Sequence, residues 1–341
     1  MKDTLLKLCS LSGVSGDEGE VREYIKKRVE PYADEITTDA MGNLIVYKKG
    51  AKTIDKTILL AAHMDEVGVI VTHITDEGYL KFSCVGGMDR RVLLGKSVYI
   101  GRNRVYGIIG LKAIHLTTKE ERKSVPKVDS MYIDIGAKSK EEAEKLVSLG
   151  DTGTFDPKCF CMGDDLIKAK AVDDRVGCAA MIKLIESDLP LSCTFVFTVQ
   201  EEVGTRGVFG AAFKVKPDVA LVLEGTTAAD IAGVKGSKRI CSVGGGVVIP
   251  YMDRAAIYDR NMYSAITKLA DEKGIKWQTK TYIAGGTDGS AIQRSRGGVK
   301  VAGLACAVRN IHSPASVLSI SDAENMLKLA KEFLQMAADR H

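Results

Sequence analysis

Six side chains of metal-binding type stand in short motifs spread along this sequence: His63, Asp173, Glu201, Glu202, Glu224 and His312. Each ends or follows an apolar run that reads as a strand, or lies in a turn leading from one. Strand ends of an open α/β sheet converge on one crevice, where ligands bind. Several carboxylates meeting there would repel and partly protonate unless a cation were present. A pair of divalent ions resolves the repulsion, with one carboxylate shared and one histidine plus one further carboxylate on each ion. Such a pair, about 3.5–4 Å apart, leaves a position open for water and steadies the oxyanion of an attacked carbonyl. A carboxylate that is not a ligand then takes the water's proton and passes it to a leaving amine. The adjacent Glu201-Glu202 supplies one of each kind, because neighbouring side chains at a strand end point different ways.

The stretch Ala61-Ala62-His63-Met64-Asp65-Glu66 anchors this set. The apolar run Thr57 to Ala62 predicts a buried strand that delivers His63 at its end. Asp65, two residues on, shares a face with His63 and suits a partner that fixes the imidazole tautomer. Taken singly, every motif has an ordinary reading. Asp173-Asp174 suits a helix N-terminus, where acids complement the dipole. Glu201-Glu202 suits a solvated turn. The joint occurrence of ligand types at successive strand ends carries the case. His73, His115 and His341 have no acidic company in a motif and receive no role.

The elements that must position these residues follow from pattern. Asp3 is expected to cap a helix to about Leu11. Asp17 is expected to open a second one, with Val21, Tyr24, Ile25 and Val29 at helical spacing. Strands are predicted over 35–38, 44–47, 193–198, 219–223, 276–282 and 299–308. Helices are predicted from Val176 to about Ile185, from Arg260 to Glu272, and from a Ser321 cap to about Ala338. From Val67 the character changes to short strands punctuated by glycine, over 69–74, 79–83, 97–100, 105–111 and 131–135. One helix over 139–149 interrupts them, with Ser139 and Glu142 as a capping box. Such runs suggest a small barrel or sandwich inserted into an α/β domain.

The chain has 341 residues, of which 45% are hydrophobic and 27% charged, values of a folded globular protein. Its net charge of +4 gives no reason to expect nucleic acid or an anionic membrane. No apolar run reaches the ~18 residues of a membrane span, and the charged N-terminus does not read as a signal peptide, so a cytoplasmic location is expected. The cysteines are scattered; Cys178, Cys193, Cys241 and Cys306 read as small buried residues in a reducing compartment. Cys159-Phe160-Cys161 is too closely spaced for usual zinc ligation and reads as strand alternation.

The motifs Ala62-His63-Met64-Asp65-Glu66-Val67-Gly68, Val172-Asp173-Asp174-Arg175-Val176-Gly177, Gln200-Glu201-Glu202-Val203-Gly204, Gly286-Thr287-Asp288 and His312-Ser313-Pro314 cover nearly the whole chain. In order and spacing they resemble the metallo-aminopeptidase family of glutamyl aminopeptidase and the tetrahedral aminopeptidases. The resemblance implies an α/β fold, with a three-layer α/β/α catalytic domain from 1–66 and 167–341. An inserted β-barrel-like domain, 67–166, would serve dimerisation. It implies that His63, Asp173 and Glu224 hold one metal and that Asp173, Glu202 and His312 hold the other. Glu201 would be the general base and acid, and Asp65 would orient His63. Substrate would contact the region of Gly286, Thr287 and Asp288, and the Asp173-Asp174 peptide would be cis. The expected cofactors are two divalent ions, zinc or cobalt, with manganese also compatible. The expected substrates are peptides, trimmed of their N-terminal residue. Family members build dimers into a tetrahedral dodecamer, so a homo-oligomer is expected. A related two-metal deacylase or carboxypeptidase, a family member labelled endoglucanase, and a metal-binding scaffold are the alternatives.

Overall fold

The computed structural model describes residues 1–340, so His341 lies outside the described residues. Eight strands build the main sheet: β1 (Glu35–Thr38), β2 (Leu44–Lys48), β3 (Ile58–His63), β12 (Cys193–Thr198), β13 (Val219–Thr227), β14 (Val247–Ile249), β15 (Trp277–Thr279) and β16 (Lys300–Val308), in the order β1-β2-β12-β3-β13-β16-β14-β15. The four central strands β12, β3, β13 and β16 run parallel. Parallel strands need helical crossovers that cover both faces, which is why they read as unbroken apolar runs. In β3, Leu60 and Ala62 enter the core on one face, while Leu59 and Ala61 enter the core on the other.

The first face carries α1 (Lys2–Ser10), α2 (Gly19–Val29), α4 (Val172–Ile185), α6 (Arg260–Glu272) and α8 (Ile320–Asp339); the second carries α5 (Arg206–Val215) and α7 (Gly289–Gln293). This is a three-layer α/β/α arrangement. Val176, Ala180 and Leu184 of α4 are all fully buried.

Between β3 and α4 the chain forms a closed barrel from β4 (Gly68–Ile74), β5 (Leu80–Val85), β6 (Ser97–Ile100), β7 (Val105–Leu111), β8 (Met131–Asp134) and β9 (Thr152–Phe155), ordered β4-β5-β8-β7-β6-β9. Its own core contains Val71, Phe82, Ile100, Ile133 and Phe155. A small antiparallel sheet of β10 (Phe160–Met162), β11 (Leu166–Ala169) and β17 (Ser316–Ser319) leads back to the main body. Cys161 is exposed on the edge strand β10, while Cys178, Cys193, Cys241 and Cys306 are buried.

Several local expectations need correction. The helix expected to Leu149 is α3 (Lys140–Glu144); beyond it Leu146 N–H and Val147 N–H both donate to the Ala143 carbonyl, tightening the chain into a turn that ends at Gly150. Ser139 caps α3 through the Glu142 N–H, but the Glu142 carboxylate accepts from the Lys138 N–H, so the reciprocal bond of a capping box slips by one residue. Asp3 lies inside the first turn of α1 and makes no cap bond, and α2 begins at Gly19, after Asp17. Ser319, not Ser321, caps α8: the helix starts at Ile320, so Ser321 lies inside its first turn, and the Ser319 hydroxyl accepts the Asp322 N–H. The strand expected over 276–282 shrinks to β15, and Glu224 sits within β13, which runs on to Thr227.

Candidate metal centre

The β3–β12 register places Thr198 beside His63, so the strand end carrying His63 and the turn carrying Glu201 and Glu202 lie together. β13 lies on the other side of β3 and brings Glu224 into line. Asp173 enters from the start of α4, and His312 from the loop between β16 and β17. All of these side chains meet at the C-terminal edge of the parallel strands.

Asp173 sits at the centre. Its Oδ1 lies 3.5 Å from His63 Nε2 and its Oδ2 lies 3.5 Å from His312 Nε2. His63 Nε2 is also 3.7 Å from a Glu224 oxygen, and His312 Nε2 is 3.2 Å from a Glu202 oxygen. The donor atoms of His63, Asp173 and Glu202 lie within 4.8 Å of one another, as do those of His63, Asp174 and Glu224. The peptide joining Asp173 to Asp174 is cis.

Asp65 stands behind His63: its carbonyl oxygen is 3.2 Å and its Oδ1 3.4 Å from Nδ1. Its carboxylate also accepts the Glu201 N–H at 2.9 Å, the Glu202 N–H at 3.1 Å and the Ser15 hydroxyl at 2.6 Å. The strand β3 is therefore tied to the turn that follows β12.

The electrostatics are those of an acidic cluster short of positive charge. Burial and the neighbouring Asp173 push Glu202 up to about 7. Burial and Asp174 push Glu224 well up, and burial with Asp288, Glu202 and Asp173 does the same to Glu201. Burial works against charge on His312, yet Asp173 and Glu202 hold its imidazole up at about 9. One oxygen of the buried Glu224 has no hydrogen-bond partner. Two imidazole Nε2 atoms and three carboxylates, one of which keeps a buried oxygen without a partner, form a donor set that fits divalent first-row metals.

Residues 42–329 match the family of M42 glutamyl aminopeptidases. This chain belongs to that family. A relative from Acetivibrio thermocellus, named as an aminopeptidase, is 40% identical over 97% of this chain and 98% of its own length. The TET aminopeptidase from a marine sediment thaumarchaeon superposes with a TM-score of 0.93 at 35% identity, covering 98% of this chain and 95% of its own. The TET1 peptidase of Pyrococcus horikoshii can assemble into a tetrahedron or a large octahedral shell. It superposes with a TM-score of 0.86 at 34% identity over 98% of both chains. This M42 chain is an aminopeptidase, a hydrolase of peptide bonds.

Among the residues expected to meet substrate in this M42 aminopeptidase, Thr287 lines a cavity of about 20 Å³ beside Glu224, together with Asp253, Tyr258 and Lys280. Gly286 lies against Ala255 in the preceding loop, where an added Cβ would come within 3.2 Å of the Ala255 side chain. Asp288 is fully buried, accepts from Thr198 Oγ1, and is pushed up to about 7 by burial. Sequence reasoning gave Asp174 no role, yet its buried carboxylate accepts the His63 and Gly177 N–H groups at 3.2 and 2.9 Å. Gly177 was the available signal: a Cβ there would approach that carboxylate to 2.5 Å.

A second network lies beneath. Lys170 Nζ donates to both Glu66 oxygens at 2.7 and 2.8 Å and to the Leu11 carbonyl at 2.7 Å. Arg175 donates to Met64 O, Leu8 O and Glu66 Oε1. These buried cations anchor α1 against the loop that carries Asp65.

Proposed function

We propose that this M42 aminopeptidase works with two divalent ions and removes the N-terminal residue of peptides. His63, Asp173 and Glu224 would hold one ion, and Asp173, Glu202 and His312 the other. The arrangement of Asp173 carries this reading, because its two oxygens face the two imidazoles separately, at 3.5 Å each. Bound there, zinc or cobalt, or manganese, supplies Lewis acidity to the scissile carbonyl and acidifies water.

Glu201 takes the proton of the attacking water and hands it to the leaving amine. Burial and the neighbouring Asp288, Glu202 and Asp173 raise its proton affinity, the direction a proton acceptor needs. Asp65 holds the His63 tautomer and the backbone of both glutamates. Of the Gly286 to Asp288 segment, Thr287 lies next to Glu224 and would border the substrate's first residue, whereas Asp288 is buried behind it against Thr198.

The barrel, within the inserted segment 67–166, serves subunit contact in this reading. Its strand β7 exposes Tyr106 and Ile108, the loop that follows exposes Ile114 and Leu116, and the Pyrococcus horikoshii relative can assemble into a tetrahedron or a large octahedral shell. We infer a homo-oligomer in the cytoplasm, the latter supported by eight free cysteines. The deciding experiment compares aminoacyl anilides with N-blocked analogues and cellulose, on stripped enzyme given zinc, cobalt or manganese. Turnover restricted to free N-termini and dependent on metal is expected; hydrolysis of blocked peptides or cellulose would overturn the reading.

A further inference from the structure

The barrel reaches the proposed metal centre at one turn, Gly86-Gly87, which follows β5. The Gly87 carbonyl oxygen lies 2.7 Å from His312 Nδ1. A carbonyl only accepts, so Nδ1 carries a proton, and it is Nε2 that faces Asp173 and Glu202 and offers its lone pair once the ring is neutral. The Asn310-Ile311-His312 segment holds two residues at left-handed φ, Asn310 and His312, both at +55°. The ring therefore stands on a tight loop between β16 and β17, and the barrel supplies the bond to its far nitrogen. Gly86 itself has φ +81°, and a Cβ there would come to 2.8 Å from Val67 Cγ1 and 3.3 Å from Glu202 Cβ. Only a glycine lets the turn come this close to Glu202.

We propose that the Gly86-Gly87 turn is a positioning element of the metal centre, fixing the His312 tautomer and the seat of Glu202 from the inserted barrel. The inference rests on the ligand set proposed above. It makes the barrel a participant in metal binding in addition to any role in assembly.

The test is an equilibrium zinc titration of the full-length stripped protein, read as two affinities. Gly86→Ala should weaken one of the two zinc ions about 10–100-fold, the usual effect of losing an outer-shell partner, and leave the other within about twofold. Gly210→Ala, in α5 with nothing within 4 Å of the added Cβ, is the control and should bind both ions normally. If Gly86→Ala folds poorly, Val67→Ala/Gly86→Ala removes the harder clash and is compared with Val67→Ala alone. Wild-type affinity for both ions in the folded Gly86 variants overturns the proposal. His312→Ala separates the two levels. If it keeps both ions, the ligand set itself is wrong. If it loses one while Gly86→Ala binds normally, only the positioning role fails.

Discussion

The Asp65 carboxylate accepts the backbone N–H of Glu201 at 2.9 Å. The same side chain takes the Glu202 N–H and the Ser15 hydroxyl and lies 3.4 Å from His63 Nδ1. One buried carboxylate thus sets an imidazole and the carrier of both glutamates. Asparagine has one acceptor oxygen and would turn N–H toward N–H at its other end. Asp65→Asn should therefore lower zinc affinity or kcat/KM by about 10–100-fold. Steady-state kinetics with a parallel zinc titration checks this, and an unaltered variant would contradict the double role.

Glu201 is separated from the ligands by function. Glu201→Gln should leave zinc content intact and reduce kcat by about 10²–10⁴-fold, the range of general acid–base catalysis. Near-normal turnover of an aminoacyl anilide by this variant would remove Glu201 from the mechanism.

Metal binding must compete with protons. Glu202 is pushed up to about 7 and His312 up to about 9 in the absence of a cation. Both must lose a proton to ligate, so apparent zinc affinity should fall as pH drops through 7, with protons released on binding. The stability sign follows. Each group binds protons more tightly folded than unfolded, so the stripped protein loses stability as pH rises from about 4.5 to 7 for Glu202, and through 9 for His312. Zinc offsets that loss by binding the folded state. The gap in thermal midpoint between loaded and stripped protein should widen from pH 5.5 to 7.5; a constant gap would contradict it.

Lys170 and Glu66 form a buried ion pair, with side chains 1% and 2% exposed. Removing Lys170 leaves Glu66 with only the longer 3.4 Å contact to Arg175 and strips the Leu11 carbonyl of a donor, which costs about 1–3 kcal/mol. Lys170→Met should lower the urea midpoint of the metal-free protein accordingly, whereas a surface pair such as Lys123–Glu120 should give about 0–1 kcal/mol.

On β7, Ile109 is buried in the barrel while its neighbour Ile108 is 47% exposed. If this outer face joins subunits, Ile108→Asp should reduce the mass seen by light scattering without loss of barrel structure by circular dichroism. An unchanged assembly would move the interface elsewhere.

Much of the sheet was legible from local pattern. Strands over 97–100, 105–111 and 193–198 and the helix over 260–272 coincide with their predicted bounds, because apolar alternation and helical spacing are properties of short windows. The helix α5 was not legible. Its Gly207 reads as a breaker, yet a Cβ there would strike Val199 O at 2.4 Å, so packing demanded the glycine. Strands β9, β14 and β17 are three or four residues long and exist because a partner strand lies alongside.

By itself, the sequence determined the residue types and their delivery at strand ends, since side-chain chemistry and hydrophobic period are written residue by residue. Only the tertiary structure decided the rest: that Asp173 turns one oxygen to each imidazole, that Asp174 lies beneath His63, and that a carbonyl of the barrel meets His312. Those relations join segments more than a hundred residues apart, and one runs through a backbone oxygen that every residue carries. No side-chain pattern can announce it, because distance in space is set by packing and not by order along the chain.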